Sequence, residues 1–285
     1  MGTSAITRSA PPSAPAQKSY QNILEQEITE GLRELERGTL GLFISGISAG
    51  LNLGFSLFLM GVMITLVRMA DRTPAFAILV AAMYSIGFIF VVLGRSELFT
   101  EHTTRAVYPV LMGRASVGGL LRLWGTIYVA NLLGISAFAW LTTVIGPALG
   151  VIDHDAFNGI ALGLVGHLWW VIALSGVLAG WLMGLLSWLV TAGRDTISQV
   201  FFVGLITSAI GICHLHHAIS GTGEVLAGIF SHEAISARQF GAFLLWTTLG
   251  NMAGGVFFVA LLKFSHVIRA GHEPKRVKLE DVKPK

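Results

Sequence analysis

Three histidines stand close together, at positions 214, 216 and 217, directly after an apolar run. A neutral imidazole donates hydrogen bonds and exchanges protons near neutral pH, and clustered histidines also bind transition metals. A second polar stretch, residues 96–100, again follows an apolar run and carries a carboxylate and a hydroxyl. The chemistry open to these two stretches is proton transfer, hydrogen bonding to a small ligand, or metal binding.

Both polar stretches belong to a chain with the composition of a membrane protein. Of its 285 residues, 53% are apolar and 12% are charged, and its mean hydropathy is +0.70. Soluble domains have about 25% charged residues, so this composition excludes an ordinary soluble domain as well as a disordered or collagen-like chain. The net charge of +3 resides at the ends of apolar stretches and in the tails. We therefore expect membrane lipid, and no nucleic acid, as a partner.

Six stretches lack Asp, Glu, Lys and Arg and are long enough to span a bilayer, which takes roughly 20 residues. They are residues 40–67, 73–94, 123–152, 156–193, 196–223 and 239–262. The fourth is the longest and fits either one span preceded by a short interfacial helix or two short spans. The single cysteine, Cys213, lies at an apolar stretch and permits no intramolecular disulfide.

The regions that flank these stretches differ from them in composition. Residues 9–17 are rich in Pro, Ser and Ala, which is typical of a disordered segment, and we expect no cleaved leader. Leu24, Ile28, Leu32 and Leu35 recur at helical spacing among glutamates, which predicts a solvated amphipathic helix from residue 22 to 37. We expect an N-terminal tail (1–38), a membrane transport domain (39–265) and a basic tail (266–285).

Charge asymmetry predicts how the spans are oriented. Three arginines lie in the connection 105–122, whereas the connection 153–155 holds only Asp and His. Lysines and arginines are enriched in cytoplasmic loops. With six spans, both termini lie on the same side, and the sequence predicts that this side is the cytoplasm and that the membrane is the plasma (inner) membrane.

An internal repeat relates the two halves of the domain, about 39–150 and 156–265. A shift of 130 positions aligns a Ser-Gly-x-x-Ala-Gly motif at residue 45 with the same motif at residue 175. A shift of 120 aligns Asn131 with Asn251 and pairs Glu97 with His217. Three spans in each half place the halves in opposite orientations. We therefore predict an all-α integral membrane fold of six transmembrane helices as an inverted 3+3 repeat, with residues 156–169 forming a short interfacial segment.

The second and fifth spans are interrupted at corresponding places, around residues 94–102 and 214–224. Non-helical backbone at membrane depth is tolerated only inside the protein or against a wet cavity, and paired breaks indicate the substrate site of a transporter. Backbone amides at the restarted helices favour a negatively charged ligand.

Four motifs resemble those of the formate/nitrite transporter family. Ser-Glu-Leu-Phe-Thr at 96–100 resembles the loop that interrupts the second span, and His-His-Ala-Ile-Ser-Gly at 216–221 resembles the fifth-span motif. Ala-Gly-Trp-Leu-Met-Gly at 179–184 and Gly-Asn-Met-Ala-Gly-Gly at 250–255 are similar to the fourth-span and sixth-span motifs.

The resemblance runs from about residue 38 to 264 and implies an aquaporin-like fold and a homopentamer with one pore per subunit. It also implies passage of small monovalent anions such as formate or nitrite, possible coupling to a proton, and no enzymatic activity or cofactor. Family members commonly have asparagine where this chain has Gly180 and Gly221. They often place a basic residue ahead of the fourth span, yet this chain has none between Arg122 and Arg194.

The resemblance also implies which residues line the pore. His217 is expected to donate a hydrogen bond or a proton to the anion, with Thr100 as a donor to the substrate or to His217. Leu98 and Phe99 are the expected constrictions, because a protonated, neutral substrate crosses apolar narrowings readily. The other expected pore positions are Ser220, Glu97, Gly180 and Gly221.

Other polar residues of the spans have expected structural roles. Asn131 and Asn251 are expected to bind the backbone of the interrupted loops. For Glu97 the alternative to the pore is a salt bridge with Arg95 or Arg105, or a cap on a helix that restarts near residue 101. Glu224 is expected in the first turn of the helix that follows the second break.

Three other functions stay open. The histidine cluster is compatible with a membrane metalloenzyme or a metal-ion transporter, although few further ligands are available, and we expect no metal. Within the transport class, the alternative is a channel for neutral solutes such as water or glycerol, although the Asn-Pro-Ala pairs typical of aquaporins are absent.

Overall fold

A computed structural model describes residues 17–67 and 73–270. Most of the predicted disordered segment 9–17 and most of the basic tail 266–285 lie outside the described residues. The helices of the described part are, in order, α1 (Tyr20–Glu36), α2 (Thr39–Val67), α3 (Pro74–Leu93), α4 (Phe99–Arg105), α5 (Val107–Leu111), α6 (Val117–Ala148), α7 (His154–Val165), α8 (Trp169–Ala192), α9 (Thr196–Ile212), α10 (Ala218–Phe230), α11 (Ala237–Ala253), a π-helical stretch Gly254–Leu261, and α12 (Leu262–Ala270).

Within the described residues, five helical stretches are long and apolar enough to cross a membrane. They are α2, α3, α6, α8 and the continuous helix 237–270. Helices α9 and α10 are apolar but shorter, with 17 and 13 residues. The fold is thus an all-helical integral membrane fold.

The long fourth window contains one long helix and one short one. Helix α7 ends at Val165, and α8 begins at Trp169 after a brief turn. Helix α7 packs against α10, with Phe157 and Ala161 fully buried. This window therefore supplies a single long apolar helix.

Glycines bring two pairs of long helices into close contact. Helix α2 packs on α6, and α8 packs on α11. A side-chain carbon at Gly50 would overlap the backbone of Asn131, and one at Gly180 would overlap the backbone of Asn251. Small residues allow membrane helices to approach backbone to backbone. The two contacts therefore hold the two asparagines in corresponding positions.

Helix α1 is docked on the membrane domain, which differs from the solvated helix that the sequence predicts. The Glu27 side chain is fully buried and accepts hydrogen bonds from Thr191 at 2.5 Å and from Ser187 at 3.1 Å. Arg105 of α4 lies 3.4 Å from the same carboxylate. Ile23 and Leu24 are buried on the same helix. Amphipathic spacing alone does not show what a helix packs against, and here it packs on α4 and α8.

Candidate functional site

Two extended loops separate consecutive helices near the centre of the fold. Helix α3 ends at Leu93 and α4 begins at Phe99, while α9 ends at Ile212 and α10 begins at Ala218. We call the residues between them loop A (94–98) and loop B (213–217). Each loop contains one residue with a left-handed backbone, Arg95 with φ 52° and His214 with φ 49°. Such a conformation is uncommon outside glycine, so its presence at matching points indicates the same turn in both loops.

Asn131 of α6 binds the backbone of loop A. Its Oδ1 accepts from the Phe99 amide at 2.9 Å, and its Nδ2 donates to the carbonyl of Glu97 at 2.8 Å. The same Nδ2 donates to the carbonyl of Gly46 on α2 at 2.8 Å. The amide side chain thereby satisfies buried backbone groups that the interrupted helix leaves without partners.

Asn251 of α11 makes the corresponding bonds to loop B. Its Oδ1 accepts from the Ala218 amide at 2.8 Å, and its Nδ2 donates to the carbonyls of His216 at 2.9 Å and Gly176 at 2.8 Å. Each asparagine therefore makes the same three bonds, two at the loop and one to a glycine carbonyl of a neighbouring long helix.

Serines add a fourth matching bond. The Glu97 amide donates to Ser45 Oγ at 3.1 Å in loop A, and the His216 amide donates to Ser175 Oγ at 3.0 Å in loop B. These bonds match Glu97 with His216, and they match Leu98 with His217 as the residues just before the restarted helices. The pairing of Glu97 with His217 in the sequence analysis is wrong by one residue.

The two restarted helices bring Thr100 and His217 together. Thr100 Oγ1 lies 2.9 Å from His217 Nε2, and both side chains are buried. His217 Nδ1 accepts from the backbone amide of Ser220 at 3.3 Å. A neutral ring with Nδ1 as acceptor carries its proton on Nε2, which then donates to Thr100 Oγ1. The hydroxyl proton of Thr100 is left to be donated elsewhere, which suits a ligand that accepts hydrogen bonds.

Apolar side chains surround this pair. Leu98 is fully buried, and Phe99 is 3% exposed. The Phe99 ring lies 4.8 Å from that of Tyr128, and Phe88 makes an edge contact with the His217 ring at 5.2 Å. The centre of the fold is therefore closed, apolar and equipped with one histidine and one threonine.

Two cavities lie on either side of this closed centre. The Glu224 cavity has a volume of about 470 Å³ and includes His217, Ser220 and Gly221 in its lining. The Arg37 cavity has a volume of about 430 Å³ and includes Glu97. Leu98, Phe99 and Thr100, which lie between Glu97 and the contact with His217, belong to neither lining.

The Arg37 cavity is polar and rich in ion pairs. Glu97 Oε1 lies 2.5 Å from Arg37 Nη1, its other oxygen contacts His102, and Arg37 also pairs with Glu34 at 2.7 Å. Burial, and then the neighbouring Glu97 carboxylate, raise the pKa of Glu34 above its ordinary value. The expected partners of Glu97 were Arg95 and Arg105, but its arginine partner is Arg37, from the connection between α1 and α2.

Arg105, the other expected partner of Glu97, is engaged elsewhere. It pairs with Glu101 at 2.8 Å and approaches Glu27 at 3.4 Å. The helix that follows loop A begins at Phe99, two residues before the expected restart at Glu101. Sequence separation explains the missed partner, because Arg37 lies 60 positions from Glu97.

The Glu224 cavity is mostly apolar. Its polar features include the hydroxyls of Tyr84 and Ser220, which lie 2.6 Å apart, and the Glu224 carboxylate. The sequence gives no sign of the role of Tyr84, because the window 73–94 is recognised only by its absence of charged residues. The sequence predicts Glu224 in the first turn of the helix that follows loop B. Helix α10 begins at Ala218, so Glu224 lies in its second turn instead.

The two glycines that replace asparagine have different surroundings. Gly221 lines the Glu224 cavity, and a side-chain carbon there would lie 2.7 Å from Phe243 Cζ. Gly180 faces the backbone of Asn251 and lies outside the linings of both cavities. Gly180 therefore allows close helix packing, and its place in the pore stays a prediction.

Two of the three clustered histidines, His216 and His217, have different partners. His216 lies 2.8 Å from Ser175 Oγ through Nδ1 and 3.0 Å from the Leu164 carbonyl through Nε2, and His217 contacts Thr100. Residues 17–67 and 73–270 contain no group of three or more His, Cys, Asp or Glu side chains that could hold a metal ion. Hydrogen bonding occupies both ring nitrogens of His216 and of His217, so the arrangement does not fit a metal centre.

Comparison with known proteins agrees with this architecture. The formate/nitrite transporter family model matches residues 21–265. The inner membrane protein YfdC of Escherichia coli (strain K12) is 30% identical over 240 residues, which cover 84% of this chain and 76% of YfdC.

Two solved structures share the fold. An FNT family ion channel superposes with a TM-score of 0.75 at 22% identity, over 86% of this chain and 98% of the channel. A pentameric formate channel with formate bound superposes with a TM-score of 0.69 at 20% identity, over 81% and 98% of the respective chains. The family match across most of the chain, together with the helical membrane fold, shows that this protein is a membrane transport protein, not an enzyme, and belongs to the formate/nitrite transporter family.

Proposed function

We propose that this protein passes small monovalent anions of the formate and nitrite class across the membrane, through a pore within each subunit. The observation that carries the proposal is the Thr100–His217 pair, which lies between two cavities. Thr100 follows loop A, and His217 is the last residue of loop B. Family membership and the likeness to a channel with bound formate support the same substrate class.

Thr100 suits the binding of a small anion because its hydroxyl hydrogen is left to donate in a closed, apolar region, while His217 holds the hydroxyl in place. The Ser220 amide bond assigns the ring proton to Nε2, and the Nε2–H group polarises the Thr100 hydroxyl. A hydroxyl so polarised is a better donor to an anionic oxygen. In this proposal the anion binds through a hydrogen bond from a neutral donor and forms no ion pair with the protein.

Leu98 and Phe99 form the apolar constriction of the proposed pore. A charged anion is expensive to move through such a section, whereas its neutral acid is not. We infer that His217 exchanges a proton with the substrate and so couples transport to pH. In the forward step the ring first takes up a second proton from the cavity and becomes an imidazolium. The Nε2–H bond then breaks, an O–H bond forms on the substrate, and the ring returns to its neutral form.

The assembly and orientation belong to the same proposal. We infer six spans in an inverted 3+3 repeat, with the second and fifth interrupted by loops A and B. The matching bonds of Asn131 and Asn251 support this relation between the halves. We further infer a homopentamer in the inner membrane with both termini in the cytoplasm, supported by the pentameric neighbour and by the arginines of the connection 105–122.

The test is flux into proteoliposomes that contain the purified protein. We expect formate and nitrite uptake that rises as the external pH falls, and a loss of at least about tenfold in His217→Ala because donor and proton exchange disappear together. The matched control is His154→Ala, which removes an exposed histidine from α7 and is expected to keep wild-type flux.

Two results would contradict the proposal. Normal, pH-dependent formate flux in His217→Ala would show that this histidine is dispensable. Rapid water or glycerol flux without any formate or nitrite flux would favour a neutral-solute channel instead.

A further inference from the structure

Glu224 is a buried carboxylate of α10 that borders the cavity on the loop B side of the closed centre. The side chain is 8% exposed and lines the Glu224 cavity. The lining of that cavity, all of it within the described residues, includes no lysine or arginine. A carboxylate without a cationic partner at membrane depth is costly, and such groups are functional by default.

Helix α10 presents Glu224 on the same face as the proposed binding pair. His217, Ser220 and Glu224 follow one another at spacings of three and four residues, which places them on one helical face. All three line the cavity. Seven residues of helix separate His217 from Glu224, a rise of about 10 Å. A substrate that enters through this cavity therefore meets Glu224 before it meets His217.

Ser220 connects Glu224 to the rest of the wall. The Ser220 side chain lies within hydrogen-bonding reach of Glu224, and its Oγ is 2.6 Å from the Tyr84 hydroxyl. Gly221, next to Ser220, keeps this part of the wall free of a side chain. The carboxyl group is thus oriented by a neighbour and still borders open space.

None of the other titratable groups of this cavity carries a permanent positive charge that would neutralise the Glu224 carboxylate. They are Tyr84 from α3, Asp155 from α7, and His214 and His217 from the interrupted span itself. Helix α2 contributes only the uncharged Met60 and Ile64. The remaining helices that pack against α10 have their titratable groups outside this lining: Glu101, His102 and Arg105 on α4, Arg122 and Tyr128 on α6, His154 on α7, and Arg238 on α11.

We propose that Glu224 is a specificity-determining residue, which admits anions of weak acids by protonating them in the Glu224 cavity and excludes anions of strong acids. The inference rests on the proposed transport function and names its substrate class. As a carboxylate, Glu224 repels any anion in an apolar cavity, where charges interact strongly. As a carboxylic acid, it has a proton to give.

The proton step is balanced within the cavity. The O–H bond of the Glu224 carboxyl breaks, and the proton forms an O–H bond on formate or nitrite. For substrate that enters through this cavity, Glu224 takes the place of His217 as the proton donor. The substrate leaves towards Thr100 and His217 as a neutral acid, and Glu224 remains as a carboxylate. A proton from water in the cavity restores the acid. An anion such as nitrate, whose acid is fully ionised in water, cannot accept the proton and is rejected.

The experiment compares formate with nitrate, which has the same charge and a similar size. Uptake and proton movement are measured in proteoliposomes for the wild type, E224Q, E224D and the control Glu233→Gln, which lies beyond the end of α10. We expect the wild type and Glu233→Gln to take up one proton with each formate and to exclude nitrate. In E224Q the ratio of formate to nitrate flux is expected to fall about tenfold, because the repelling charge and the proton donor are both removed. E224D is expected to retain proton coupling and nitrate exclusion.

Each alternative result has a definite consequence. Formate flux that depends on His217 but keeps its proton ratio and nitrate exclusion in E224Q would overturn the role of Glu224 alone. Wild-type protein that passes nitrate as fast as formate would overturn it without any variant, which covers the case in which E224Q fails to fold. Wild-type protein that passes neither formate nor nitrite would instead overturn the proposed function.

Discussion

Loops A and B have the same backbone bonds but carry different side chains. An asparagine from a neighbouring helix makes two bonds at each loop, and a serine accepts one more from each. The side chains at matching positions have little in common. Loop A has Leu98 where loop B has His217, and Glu97 matches His216.

The difference teaches which residues hold the fold and which give it a function. The repeated residues satisfy buried backbone groups, a need that both halves share because each has an extended loop between two helices in the buried interior. The unmatched residues give loop A an apolar side chain next to ion pairs and give loop B a histidine next to neutral partners; in the proposed pore these are the constriction and the binding site. If the proposed pore is correct, the matching backbone bonds and the different side chains together give it two different ends.

The largest expected effect comes from removing the repeated asparagines. In Asn131→Leu and in Asn251→Leu, three buried backbone groups lose their partner. An unsatisfied buried group costs about 1–3 kcal/mol, so each variant should lose about 3 kcal/mol or more of stability. We expect similar decreases in the midpoint of thermal unfolding in detergent for both variants.

Asn158 of α7 offers the matched control. Its Oδ1 is buried without a hydrogen-bond partner, so Asn158→Leu should cost no more than about 1 kcal/mol. A large loss for Asn131→Leu and a small one for Asn251→Leu would break the equivalence of the two loops, and equal losses in all three variants would show that the asparagine bonds are not the cause.

A smaller effect is expected from shortening the apolar side chain of each loop. Leu98 is fully buried in the closed centre, whereas Leu215 already borders the Glu224 cavity. Leu98→Ala should widen the constriction and raise formate flux about threefold to tenfold, since a charged or polar solute then meets more space and water. Leu215→Ala should leave flux near the wild-type value.

Flux in proteoliposomes at one fixed pH measures both variants. A rise in Leu215→Ala with none in Leu98→Ala would place the narrowest part of the pore on the side of loop B, contrary to the proposal.

The sequence predicted the helices of the membrane domain well, because absence of charge over about 20 residues reports directly on burial in lipid. The windows 40–67 and 73–94 correspond closely to α2 and α3. The breaks were also located, since polar residues interrupt otherwise apolar stretches. Helical spacing predicted α1 within two residues of its start.

The partners of the site residues were harder to predict. A constant shift of 120 aligned Asn131 with Asn251, but the loops align at 119, because one half has one residue more between its loop and its asparagine. Such a change is invisible to an alignment without gaps. The ion pair of Arg37 with Glu97 and the burial of Glu27 could not be predicted for a different reason: each contact joins segments far apart in the chain.

The smallest expected effect concerns the ion pairs next to loop A. There Arg37 pairs both with Glu34 of α1 and with Glu97 of loop A. Burial and the Glu97 carboxylate raise the pKa of Glu34 in the docked state, so docked α1 binds a proton more tightly than undocked α1. Docking should therefore tighten as the pH falls through the raised pKa towards the ordinary glutamate value of about 4.3, and loosen as the pH rises.

Hydrogen exchange of residues 20–36, corrected for its intrinsic pH dependence, should show this trend in the wild type and a weaker one in Glu34→Gln. Glu25→Gln, at an exposed position on the same helix, is the control and should keep the wild-type trend. An unchanged trend in Glu34→Gln would mean that another group couples α1 to pH, and the charged partners of loop A would then not distinguish it from loop B in this respect.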